Sequence, residues 1–177
     1  FIFVGLTISP TYGQKRCYTY DAAGCRILRD QSCDPTCSTL VINVNDSGAG
    51  SLRKAIECAS HGDTIKFAPN VIGQTINLLT SIKINKNIHI LQNVNSVVTV
   101  GGSVPAIQVN SGTLELQHIH INAGCQINFF GTGIRNYGDM ILRDVTVIQD
   151  DASNCGAASV YNLGGMIIEG HTKVIIN

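Results

Sequence analysis

From Asp63 onward the apolar residues come in short alternating runs separated by Asn, Gly and Ser. Leu114 and Leu116, then Ile119 and Ile121, stand two apart, the spacing that puts side chains on one face of a strand. The same pattern returns at a step of 26, from Leu114 and Leu116 to Met140 and Leu142, from Ile119 and Ile121 to Val145 and Val147, and backwards to Ile88 and Ile90. That step also carries Asn110 to Asn136 to Asn162, Gly112 to Gly138 to Gly164, and Met140 to Met166. A fixed period holding two or three short strands is the signature of a coil that stacks on its neighbours. One coil cannot bury its inward Ile, Leu and Val alone, whereas stacking gains roughly 1.5–3 kcal/mol for each inward side chain. The predicted fold is all-β, a parallel β-helix of about 26 residues per coil over 63–177.

Ahead of the repeat, over residues 39–62, the period changes from two to that of a helix. Ser51 is a good N-cap, and Leu52, Ala55, Ile56 and Ala59 follow at i, i+3, i+4 and i+7. They predict a short amphipathic helix over Ser51 to Ser60, ended by a left-handed Gly62. A strand over Val41 to Val44 and the turn Gly48-Ala49-Gly50 precede it, and the strand Thr64 to Phe67 follows. This helix is expected to cap the open end of the solenoid, with Leu52, Ile56 and Ala59 facing the first coil.

Asn45-Asp46-Ser47-Gly48, Gly50-Ser51-Leu52-Arg53-Lys54-Ala55-Ile56 and Gly62-Asp63-Thr64-Ile65 together resemble an N-terminal signature often written CSLREAI. It belongs to a family of bacterial surface proteins with right-handed parallel β-helices of the pectate-lyase-like fold. Gly50 stands in place of Cys and Lys54 in place of Glu, while Arg53, Ala55, Ile56 and the flanking segments match. The resemblance implies a right-handed coil running to Asn177 and an adhesin or passenger role with no shared catalytic set. Tyr18-Thr19-Tyr20-Asp21-Ala22-Ala23-Gly24-Cys25-Arg26-Ile27 is also similar to one YD repeat of bacterial cell-surface proteins, with Cys25 where Asn is usual.

Twelve basic and twelve acidic residues balance, so the basic excess expected of a nucleic-acid binder is missing. The opening apolar run FIFVGLTI is far shorter than the roughly 20 residues that cross a bilayer. Residues 1–13 read as the remnant of a signal peptide with Gln14 as the first mature residue, and the expected location is secreted or on the outer cell surface. With no initiator Met, and with KVIIN ending in mid-strand, the sequence reads as a fragment that continues past residue 177. Seven cysteines suit an oxidising compartment. Cys17, Cys25, Cys33 and Cys37 cluster in the loop-rich segment 14–38, where disulfides Cys17–Cys25 and Cys33–Cys37 are favoured over a zinc site because the spacings lack paired short knuckles. Cys58 is then the expected free thiol, buried in the helix.

Parallel β-helices also carry polysaccharide lyases and glycoside hydrolases, which need carboxylates gathered from adjoining coils. The 26-residue step instead stacks Asp139 between Thr113 and Gly165, Arg143 between Gln117 and Glu169, and Asp144 between His118 and Gly170. The carboxylates of Asp139, Asp144, Asp150 and Glu169 are therefore expected not to converge. Asp150 and Asp151 read as a solvated turn before a Ca²⁺ site. His118 and His120 are expected to share the outward face of one strand, with Asp144 in contact with His118 and no third metal ligand. No phosphate loop, nucleophile elbow or H-E-x-x-H occurs. No catalytic, metal or cofactor residue is assigned. The residues singled out are structural: Ser51, Leu52, Arg53, Ala55 and Ile56 in the cap, Asn110, Asn136 and Asn162 as an amide ladder, and Gly112, Gly138 and Gly164 at a turn needing positive φ. The sequence reads as an exported, non-catalytic surface protein whose partner is a carbohydrate or a host or cell-surface protein. The alternative is a polysaccharide lyase or glycoside hydrolase with its catalytic coils beyond residue 177.

Overall fold

Inward residues at every second position, repeated coil after coil, build three parallel sheets. The computed structural model describes residues 17–20, 26–30, 37–92, 98–102, 105–123, 133–149 and 159–176. The chain divides into two units, Phe1–Pro35 and Thr36–Asn177. In the first, where a loop-rich segment was expected, β1 (Cys17–Tyr20) and β2 (Arg26–Asp30) pair antiparallel.

The second unit is a parallel β-solenoid. It opens with β3 (Leu40–Val41) and α1 (Leu52–Cys58). The first coil holds β4 (Asp63–Phe67), β5 (Thr75–Asn77) and β6 (Ile82–Ile84), and the second β7 (Ile88–Leu91), β8 (Val98–Gly101) and β9 (Ile107–Val109). The third holds β10 (Thr113–Gln117), β11 (Ile119–Ala123) and β12 (Ile134–Asn136), and the fourth β13 (Asp139–Arg143), β14 (Thr146–Gln149) and β15 (Val160–Asn162). β16 (Gly165–Glu169) and β17 (Lys173–Ile176) begin a fifth. The sheets run β3-β4-β7-β10-β13-β16, β5-β8-β11-β14-β17 and β6-β9-β12-β15. In the first of them the 26-residue step holds, with Ile88, Leu114, Met140 and Met166 stacked in one column.

α1 forms where the capping pattern places it. The Ser51 side chain accepts from the Lys54 N–H, and Leu52, Ala55, Ile56 and Ala59 join the core. Beside this helix the first-coil residues Ile65, Ile76, Ile82 and Ile84 are all buried, in one core with it. Two cations fasten the helix. Arg53 donates to Asp46, Thr80 O and Ser81 O, and Lys86 Nζ donates to Ile56 O, Glu57 O and Ala59 O at 2.7–3.2 Å, satisfying carbonyls that a helix end leaves free.

Several expectations are corrected. The strand after Leu40 stops at Val41 because Ile42 and Asn43 both turn to donate to Gly50 O, and Gly50 itself has φ +77°. Gly62 is left-handed but does not end the helix, which closes in an extended Ala59. Cys37 is bonded to Cys58, so the Cys33–Cys37 loop does not form and Cys58 is no free thiol. The side chains of Cys17, Cys25 and Cys33 lie outside the described residues.

The amide ladder is broken. Asn136 donates to Asn162 Oδ1 at 2.6 Å, but its partner in the coil below is Val109, and Asn110 donates instead to Asn85 Oδ1. The corner between Val109 and Thr113 holds three residues, that between Asn136 and Asp139 only two, so the corner that Asn110 begins carries one extra residue. Of the three turn glycines only Gly112 has positive φ, at +79°. Gly138 and Gly164 serve close approach instead, since a Cβ on either would press on the backbone of the coil below.

Candidate functional site

Strand alternation turns the residues between the buried ones outward, and stacking then sets each beside its counterpart one coil away. In the first sheet this places Glu115 over His89 and under Ile141, and Arg143 between Gln117 and Glu169. The result is a polar ladder across four coils. His89 Nδ1 lies 2.7 Å from Glu115 Oε2, Arg143 Nη1 pairs with Glu115 Oε1, and Arg143 Nε donates to Glu169 Oε2 at 2.5 Å. Glu115 is the hub, with only 11% of its side chain exposed and both oxygens engaged.

Glu115 is absent from the residues singled out by sequence, although a signal was present. It stands between two inward leucines, so it must point outward, and it follows His89 by the coil step of 26. Of the acids expected to stay apart, Asp139 stands between Thr113 and Gly165 and Glu169 stands over Arg143, while Asp144 follows Arg143 and donates its N–H to Glu169 O. Acids nevertheless gather, because Glu115 and Glu169 share Arg143. Asp150 and Asp151 lie outside the described residues.

A second group lines the corner between the first and second sheets. His118 and His120 do not share one strand face as expected. His118 is itself the bend between β10 and β11, with φ +54°, and Asp144 repeats that bend one coil on at φ +51°. A side chain in the left-handed region costs roughly 1–2 kcal/mol, and here the corner residues gain local partners. His118 Nδ1 lies 3.0 Å from Gln92 O, and Asp144 accepts from the His171 N–H at 2.7 Å. The expected His118–Asp144 contact is present at 3.5 Å. In β11, burial first and then Lys173 push the His120 imidazole towards its neutral form.

Two carboxyls sit below their usual range. The His171 N–H is the main cause at Asp144, aided by the two neighbouring imidazoles. At Asp46 the Arg53 guanidinium leads, followed by the Leu79 N–H. A carboxyl lowered on folding stabilises the fold above its ordinary value, near 3.8, and withdraws that support as pH falls through its folded value. The support from these two carboxyls is therefore expected to hold from neutrality down to about pH 5 and to decline below about pH 4. Asp46→Asn should be less stable than the parent at pH 7, with the gap in urea midpoint closing by pH 3. A gap of constant size would mean that the Asp46–Arg53 pair carries none of the acid dependence.

Chemically the ladder is self-contained. Glu115 and Arg143 are spent on each other and on His89 and Glu169. Hydrolysis of a glycoside takes one carboxyl as acid and another as base or nucleophile. Among the described residues no three His, Cys, Asp or Glu side chains are placed to share a metal ion, and no helix is long and apolar enough to cross a membrane. Comparison with models of known protein families, with curated proteins and with solved structures finds no match.

Proposed function

We propose that this chain is an exported, non-catalytic solenoid of adhesin or passenger type, at work in the secreted medium or on the outer cell surface, where its stacked columns offer a rigid face to a carbohydrate or a surface protein. The observation that carries the reading is the ladder His89–Glu115–Arg143–Glu169, whose best-buried acid has both oxygens held by cationic or proton-donating neighbours. Such an acid fixes the face and is poorly placed to exchange protons with a sugar. The Cys37–Cys58 bond suits an oxidising compartment, and the resemblance at residues 45–67 points to the same class of protein.

Incubated with polygalacturonate or alginate, the chain is expected to release no unsaturated or reducing ends above a heat-denatured control. The immobilised chain is expected to retain at least one soluble polysaccharide or matrix protein saturably. Product release that disappears in Glu115→Gln would make the protein an enzyme and overturn the reading. Absence of any saturable retention across such a panel would remove its adhesive half.

A further inference from the structure

The third sheet, β6-β9-β12-β15, turns two columns of side chains away from the core. Lys83, Gln108 and Arg135 each stand between two buried residues of their strands and so face outward, and register adds Tyr161 to the same column. Beside it, Asn85, Asn110, Tyr137 and Leu163 each follow the last aligned residue of a strand, and all four are exposed. Neither column holds an acid. In the first sheet, by contrast, Arg143 is shared by Glu115 and Glu169, and the acid that lines a cleft with Lys83, Glu57, belongs to α1.

Contacts between coils order these groups. Asn110 donates to Asn85 Oδ1 at 2.9 Å and accepts from Gln108 Nε2 at 2.6 Å, which joins an amide row over the first two coils. Further along, the rings of Tyr137 and Tyr161 meet edge to face, with centroids 6.3 Å apart and 67° between their planes, an arrangement that aromatic pairs prefer. Tyr137 is still 43% exposed. Cations, amides and aromatic rings on one face match a sugar polymer with acidic groups. The C–H side of a pyranose packs on a ring, its hydroxyls pair with the amides, and its charge meets the cations. The spacing fits as well. Adjacent strands lie about 4.8 Å apart, so the backbones at Lys83 and Arg135, two strands apart, stand roughly 10 Å from each other. In an extended chain of diequatorially linked pyranoses alternate units turn the same edge to a surface, and two units span a similar length.

We propose that the outward face of the third sheet binds a linear anionic polysaccharide laid along its columns. The acidic groups sit on Lys83 and Arg135, hydroxyls on Gln108 and Asn110, and a sugar face on the Tyr137–Tyr161 pair. The proposal rests on the adhesive reading and narrows it to one ligand chemistry and one face of the solenoid.

The probes are a mannuronate hexamer, a sulfated cellohexaose and neutral cellohexaose, titrated into the whole chain and followed by calorimetry and by NMR of the tyrosine rings. At low salt at least one acidic hexamer is expected to bind with a Kd of about 1 mM or tighter, at least about fivefold ahead of the neutral one. The tighter of the two shows whether carboxylate or sulfate is the preferred group. Binding should move the ring signals of Tyr137 and Tyr161 and weaken in about 0.5 M NaCl. Lys83→Gln should weaken it about threefold at the parental urea midpoint, since Lys83 is exposed. Lys66→Gln removes the same charge from the first sheet and should leave it unchanged. Equal binding of acidic and neutral hexamers overturns the proposal, as does equal weakening by the two lysine variants. Saturable retention of any glycan or protein that leaves both ring signals unmoved removes this face while adhesion stands, whereas no retention of any kind removes both.

Discussion

Leu52→Asp is expected to destabilise the solenoid by about 4 kcal/mol or more, the largest effect of any single change in the cap. Leu52 is 1% exposed and packs with Ala55 and Ile56 into the same core as the first coil. Removing such a side chain costs about 2–5 kcal/mol through lost burial and the cavity left behind. The carboxylate adds a charge with no partner in apolar surroundings. Leu52→Met keeps the volume and should cost less than about 1.5 kcal/mol. Urea unfolding of the three proteins checks this. If Leu52→Asp keeps the parental midpoint, the helix does not cover the first coil, and the burial of Ile82 and Ile84 must have another source.

Gly138→Ala should cost about 2–3 kcal/mol, and for a reason that differs from the usual one for glycine. Gly138 is not left-handed, so alanine has no φ penalty there. The obstacle is the coil below, since a Cβ would lie 2.5 Å from Gly112 O and 3.1 Å from the Ser111 carbonyl carbon and a Val109 methyl carbon. Backbone in a stacked sheet cannot step aside without breaking the ladder bonds beside it, such as Asp139 N–H to Gly112 O. Gly48→Ala is the matched comparison, with φ +90° and open space around the added carbon. There only the left-handed conformation is penalised, at roughly 1–2 kcal/mol. Thermal or urea midpoints that rank Gly48→Ala as the more damaging of the two would refute the close-approach argument.

The tight corner that makes Gly138 sensitive also shows where reading by sequence stops. The coil length, the inward columns Leu114–Met140–Met166, the N-cap at Ser51 and the apolar face of α1 are all legible in the chain. Each depends on local conformation and on a coil's need to bury alternate residues, and both leave a period in the sequence. The stacking of Arg143 between Gln117 and Glu169 follows from the same period. A single extra residue in the corner after Val109 changes the coil step from 27 before it, Ile107 to Ile134, to 26 after it, Thr113 to Asp139, and the amide ladder breaks there, with Asn136 over Val109. Cysteine spacing favours the nearest partner, yet Cys37 bonds to Cys58 because helix α1 carries the latter back beside the chain that enters the solenoid. Lys86 reaches three carbonyls of that helix with no local mark of doing so. The sequence by itself determined which residues face inward, since burial acts on every coil alike. Beyond the pairs that the coil step already sets side by side, Arg143 with Glu169 and Asp144 with His118, only the tertiary structure decided which charges, thiols and amides meet, because those contacts form between residues that a corner's length and a helix's placement bring together.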